Sequence, residues 1–332
     1  MGKKQGLKTC LALFGVLCLV LAGSFPSWAA EKKAVTWGST ASTSGLFAYF
    51  VATAKILNDR IPEMNVTVRS TGAGVHNARL MAQQEVDIGA IETGLIDEAM
   101  KGEGPFKGKP NPGLRLLYVN MTNALQFIVS EKSGVKDAYG LEGKSYTPGM
   151  LGSGAERAAI GIFRTLNIQP KLRHMSYADA IEAMKNEQII GFVKYGIRDA
   201  SILDVASAMK IRFISFSDRD MEKIIKNVPG FRKTMVPAGL YPGMGAFQTM
   251  ENEWGDYVHK EFPELLAYKI VKTIWENRAE IQKTSPVFVG DRLPDVALGV
   301  KVGYLHPGAI KFYRELGLTV PKNLIPPEMG GK

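Results

Sequence analysis

Three loops built of small residues stand directly ahead of helical segments. They are residues 38–45 (Gly-Ser-Thr-Ala-Ser-Thr-Ser-Gly), 70–74 (Ser-Thr-Gly-Ala-Gly) and 149–154 (Gly-Met-Leu-Gly-Ser-Gly). Glycine lets a backbone come close to a ligand. The first amides of a helix point outward and favour an anion. Serine and threonine hydroxyls both donate and accept without bulk. Converging on one place, the three loops would hold a small polar, carboxylated molecule; taken singly, each is also an ordinary tight strand-to-helix connection. Tyr195 and Tyr241 sit beside glycines, in Lys194-Tyr195-Gly196 and Gly239-Leu240-Tyr241-Pro242-Gly243. A tyrosine can cover a ligand with its ring and bond it with its hydroxyl, although core packing accounts equally well for either one alone.

Other chemistries lack their residues. The 149–154 loop has no Lys-Ser/Thr ending, and its glycines fail the dinucleotide spacing. The four histidines, His76, His174, His259 and His306, include no pair spaced as metal ligands on a helix; His76 stands out by adjoining a glycine loop. No G-x-S-x-G elbow occurs. Glu92, Asp97 and Glu98 lie near a strand end, where capping or surface exposure accounts for them. No catalytic residue, metal ligand or cofactor is therefore assigned, and the chain reads as a non-enzyme.

The elements that must position these loops alternate in type. Residues 34–37 read as a first strand, and Phe47, Phe50, Val51, Ala54, Leu57 and Ile61 follow at helical spacing. Residues 66–68 form the next strand, 75–83 the next helix, and 87–91 a buried strand. Further on, 126–130 and 188–192 are strand-like, and Ala159, Ile162, Phe163 and Leu166 mark a helix face. Ser176 and Asp179 open another helix in the manner of a capping box. Pro263 opens a long helix running to Ile281. This alternation predicts an α/β fold with a parallel sheet.

The chain has 332 residues, 45% hydrophobic and 22% charged, with 41 Lys plus Arg against 32 Asp plus Glu, a net charge of +9. Such a composition is globular, and the length suits two domains. Lys3, Lys4 and Lys8 precede an apolar run over 10–23, and Ser27-Trp28-Ala29 supplies small residues for a cut after Ala29. That is the pattern of a signal peptide, in a run shorter than the roughly 20 residues of a membrane span. Cleavage takes the chain from 332 to 303 residues and from +9 to +6, and removes both cysteines, Cys10 and Cys18. The expectation is a soluble periplasmic protein without thiol chemistry. Its positive charge is scattered and not interleaved with aromatics, so no nucleic-acid partner is expected.

Taken in order, the segments resemble the TAXI family of solute-binding proteins, the extracytoplasmic receptors of one class of TRAP transporter. The likeness rests on the 38–45 loop, Ser70-Thr71-Gly72-Ala73-Gly74-Val75-His76-Asn77, Val86-Asp87-Ile88-Gly89-Ala90, Gly104-Pro105-Phe106, Leu141-Glu142-Gly143-Lys144, Gly152-Ser153-Gly154-Ala155-Glu156, Val236-Pro237-Ala238-Gly239-Leu240-Tyr241 and Leu305-His306-Pro307-Gly308-Ala309. The resemblance implies a type II periplasmic-binding-protein fold, in which two α/β lobes joined by a hinge close over a ligand in the cleft. Lobe one would hold 34–122 plus 238–332, and lobe two 123–237. The implied ligand is a small anionic or zwitterionic solute, of amino-acid or dicarboxylate type, passed by a monomeric receptor to TRAP membrane permease subunits. The implied contacts are Ser39, Thr40 and Ser44; Thr71, His76 and Asn77; Glu92 and Thr93; Ser153, Gly154 and Ala155; and Tyr195 and Tyr241. Three positions depart from the family pattern: the first loop continues Thr43-Ser44-Gly45-Leu46-Phe47, His76 stands where an acid is usual, and Ile91-Glu92-Thr93 replaces a Gln-Ser/Thr-Asp type of triplet. A protonated His76 would favour an anion. A ligand sensor feeding a membrane histidine kinase is the rival reading, and a secreted α/β hydrolase or transferase the more distant one.

Overall fold

A computed structural model describes residues 32–40, 42, 46–151, 153–197, 200–285 and 288–330. The expected signal peptide and its cut after Ala29, and Ser44 of the first loop, lie outside the described residues. Residues 32–332 group as one compact unit. Its elements are β1 (Lys33–Gly38), α1 (Phe47–Arg60), β2 (Met64–Arg69), α2 (Gly74–Ala82), β3 (Ile88–Glu92), α3 (Ile96–Lys101) and β4 (Leu114–Ser130). Then follow β5 (Ser145–Tyr146), α4 (Gly154–Leu166), β6 (Lys171–Leu172), α5 (Tyr177–Lys185), β7 (Gly191–Tyr195), α6 (Ala200–Ala208), β8 (Ile211–Phe213), α7 (Asp218–Asn227) and β9 (Phe231–Val236). The chain closes with β10 (Phe247–His259), α8 (Glu264–Glu276), α9 (Arg278–Thr284), α10 (Leu293–Gly299) and α11 (Pro307–Glu315).

The local signals mostly act where they stand. Ser176 caps α5, its Oγ accepting the Asp179 amide at 3.2 Å while donating to the Asp179 carboxylate at 2.7 Å. Pro263 precedes the first residue of α8. The helix expected to run on to Ile281 breaks at Asn277, whose side chain turns back to the Thr273 carbonyl at 2.7 Å. The strand expected at 188–192 begins at Gly191, because the 183–189 segment folds back on α5 through Gln188 N to Ala183 O.

The sheet is mixed. β2, β1 and β3 are parallel, as the alternation predicts. β10 then runs antiparallel to both β3 and β4. The two long strands β4 and β10 pass through the whole unit and divide it. At one end they join β3; at the other, β9 pairs β10 while β7 and β8 pair β4. Apolar side chains gather in separate clusters accordingly. One holds residues from Val35 to Met121 and from Trp254 to Leu324. The others hold residues from Ala124 to Met250. Two lobes result, one around each cluster set.

Between them the strands carry polar side chains, Thr122 and Asn123 on β4 opposite Glu253 and Asn252 on β10, and these belong to neither core. The ladder continues there while apolar packing does not, as a hinge requires. The pairing also slips between Trp254 and Gly255 and between Asp256 and Tyr257, which bends the strand locally. The second crossing thus falls near 251–253, where the sequence places it near Pro237. Val236, Tyr241 and Phe247 pack in the second lobe's core because β9 folds back on the lobe-two end of β10. No motif announces that pairing.

Candidate functional site

The first two loops are fastened to each other from behind. Ser39, Thr40, Thr71 and Asn77 are all buried. Asn77 Nδ2 donates to the carbonyls of Ser39 and Ala90, each at 2.8 Å. Thr71 Oγ1 lies 2.7 Å from both the Ser39 carbonyl and Asn77 Oδ1, sharing its one proton, and accepts the Ala73 amide at 3.1 Å. Ser39 Oγ donates to the Arg69 carbonyl at 2.8 Å, and the Thr71 amide to the Thr40 carbonyl at 3.2 Å. These side chains tie β1, β2, α2 and β3 together and so set where the loop backbones lie.

This fastening holds a strained backbone at the start of α2. Ala73 has φ 64° and ψ −155°, a region almost confined to glycine, and such strain concentrates at ligand sites and switches. His76 is exposed, and its Nδ1 accepts the Gly72 amide at 2.9 Å. A ring bonded in this way carries its proton on Nε2.

Glu92 ends β3 opposite Trp254 of the hinge strand. Its side chain reaches over the start of α2; a carbon added at Gly74 would fall 1.7 Å from Glu92 Oε2. Only glycine leaves room for the carboxylate there. The other oxygen faces the second lobe, since a carbon added at Gly154 would lie 3.6 Å from Glu92 Oε1 and 3.9 Å from the Tyr195 ring. Glu92 as a residue keeps some exposure, but Oε2 is wholly buried and has no hydrogen-bond partner among the described residues. Burial pushes the Glu92 carboxyl up, opposed first by a hydrogen bond from its own backbone and then by the Arg157 charge. Burial likewise pushes the Tyr195 hydroxyl up, with Glu92 adding to it.

From the second lobe, Ser153 caps α4, its Oγ accepting the Glu156 amide at 3.1 Å. Gly154 and Ala155 form the first turn, with Ala155 buried and Arg157 exposed. Behind them, Lys194 Nζ sits 4.0 Å over the Tyr177 ring and donates to Ser201 Oγ at 2.9 Å. Beside Glu92, Thr93 is buried in the turn that carries Gly94. Gly94 meets the second lobe directly: a carbon added at Gly230 would fall 2.3 Å from Gly94 Cα.

The structure therefore brings the start of α2, Glu92, Ser153, Gly154 and Tyr195 to one seam between the lobes. Ser39, Thr40, Thr71 and Asn77 stand behind that seam, and His76 stands exposed on α2. Tyr241 is elsewhere, buried in the second lobe with its ring centroid 4.7 Å from that of Phe213. Arg157 escaped the sequence reading although it lies in the first turn after Gly154, where helix spacing places it near whatever meets that N-terminus. Also unread were the hinge acids. Glu251 and Glu253 are buried on β10 and share Arg232, at 2.8 and 3.3 Å. Burial raises Glu253 to about 7 against the opposing Arg232 charge. Asp256, bonded by Trp37 Nε1 at 2.8 Å and Asn120 Nδ2 at 2.6 Å, is raised by burial to about 6. Among the described residues no group of three His, Cys, Asp or Glu could hold a metal ion, and no helix is long and apolar enough to cross a membrane.

Solved structures are similar to this chain in fold. The probable amino-acid ABC transporter extracellular-binding protein ytmK from Bacillus subtilis is 13% identical, with TM-score 0.50, over 79% of this chain and 99% of that one. The periplasmic aliphatic sulphonate binding protein SsuA from Escherichia coli is 14% identical, with TM-score 0.46, over 89% of this chain and 90% of that one. The architecture is thus the two-lobed periplasmic-binding-protein fold. The sequence places the chain more narrowly: the NMT1-like family matches residues 39–317, and the chain belongs to that family.

Proposed function

We propose that this protein is an extracytoplasmic solute-binding receptor, which captures a small anionic or zwitterionic solute between its lobes and delivers it to a membrane permease. The observation that carries the reading is the seam. Helix starts from both lobes, a buried carboxylate and a tyrosine meet there, across a hinge of two continuous strands. A ligand touching both lobes would shift the population from open to closed. The description of the Bacillus subtilis neighbour as a probable amino-acid ABC transporter extracellular-binding protein supports the solute class. The motif order of the TAXI receptors supports a TRAP permease as the partner, while the same neighbour's name favours an ABC transporter as the second reading.

A thermal-shift screen of the chain beginning at Ala30, against amino acids, dicarboxylates, keto acids and other small anions, tests the receptor. A ligand that binds only the folded state raises the melting temperature with its concentration. A selective shift is expected. A silent panel, together with no small molecule released on denaturation, would overturn the reading. Uptake into vesicles carrying the candidate permease separates the partners: a TRAP permease runs on an ion gradient without ATP.

A further inference from the structure

We infer that Glu92 selects the solute, receiving an ammonium group at the seam, so that the receptor takes zwitterions such as amino acids and discriminates against matching acids that lack the amine. The inference rests on the receptor reading above and narrows its solute class. Glu92 Oε2 is buried without a hydrogen-bond donor among the described residues; the carboxyl is bonded by its own backbone, but burial outweighs that bond, and a donor reaching Oε2 would favour the ionised form. The protein's own cation nearby, Arg157, makes no ion pair with it at contact distance and acts only at longer range. The position is shared by both lobes, because one carboxylate oxygen lies over Gly74 and the other faces Gly154 and Tyr195. A group bound there would be held on closure.

The charges around Glu92 divide the work. The helix starts at Gly74 and Gly154, with Arg157, offer positive potential to the solute's carboxylate. Glu92 is the negative counterpart within the same few residues. A second carboxylate on the solute would meet it as a like charge, whereas an ammonium would supply its missing donor. Glycine at 74 leaves the space in which the Glu92 carboxylate lies.

The test uses matched pairs that differ at the amine, alanine with lactate and aspartate with malate and succinate, titrated calorimetrically into the chain beginning at Ala30. A charge-assisted hydrogen bond predicts that the amino member of a bound pair is at least about tenfold tighter. Glu92→Gln, checked for folding by circular dichroism, should remove that gap by weakening the amino member alone. Equal binding across a pair, or equal weakening of both members by E92Q, overturns the role of Glu92 and leaves the receptor standing. If neither these pairs nor the wider thermal-shift panel binds and denaturation releases no small molecule, the receptor reading falls and this inference with it. The wild-type comparison stands whether or not the variant folds.

Discussion

Replacing Asn77 by alanine tests whether this side chain is a fastener. Its amide makes two hydrogen bonds of 2.8 Å and meets the Thr71 hydroxyl at 2.7 Å, in a fully buried position. At about 1 kcal/mol per hydrogen bond, the loss is about 3 kcal/mol. For a chain of this length that corresponds to a fall in melting temperature of about 6 °C, at about 2 °C per kcal/mol. Asn77→Asp sharpens the test. It keeps the volume but turns a carboxylate oxygen toward the carbonyls of Ser39 and Ala90, so it should destabilise at least as much as alanine. Both variants are read by thermal unfolding followed by circular dichroism. A loss below about 1 kcal/mol for alanine, or an aspartate variant as stable as wild type, would refute the fastening role. Asn77 would then be available as a ligand contact.

Three further outcomes follow from the hinge. Asp256 titrates at about 6 in the folded state against about 3.9 unfolded, so the folded form binds the proton more tightly. Its stability contribution is fully present below about pH 4 and is lost as pH rises through about 6, a change of about 3 kcal/mol. Asp256→Asn should flatten the stability profile between those values, and parallel profiles for the two proteins would refute the assignment. Arg232→Ala strands two buried carboxylates and should cost about 2 kcal/mol at pH 7 in a denaturant titration. Adding Glu253→Gln should recover part of that loss; strict additivity would mean that the pair does not interact. Gly230→Ala meets Gly94 across the seam at a residue with φ 84°. It should weaken ligand affinity by hindering closure, separately from about 1–2 kcal/mol of fold destabilisation by the left-handed φ, and unchanged affinity in calorimetry would exclude that contact from the closed state.

The first half of the fold was close to legible. Residues 34–37, 66–68 and 87–91 all lie on or overlap strands, and the glycine loops do precede α2 and α4, because apolar period, capping and glycine freedom are local properties. The hinge was not. β4 and β10 pair residues more than a hundred positions apart, such as Trp254 with Met121, and no short window records that. β10 also carries Glu251, Asn252, Glu253 and Asp256, which read locally as a surface segment. Their burial becomes tolerable only when Arg232, Trp37 and Asn120 arrive from other strands. The site divides in the same way. Ser153 and Gly154 are visible as a helix start, whereas Asn77 looks like a contact until its partners on β1 and β3 are placed.

Composition and order of segments alone determined an α/β chain whose small-residue loops stand ahead of helices. They determined it because helix starts, caps and glycine conformations depend on a few neighbouring residues. Only the tertiary structure decided which loops meet, and it made Glu92 a buried carboxylate between two helix starts while sending Tyr241 into the second core. Burial and electrostatic surroundings are properties of what packs around a residue, and for Glu92 those neighbours come from β7, α2 and α4 at once.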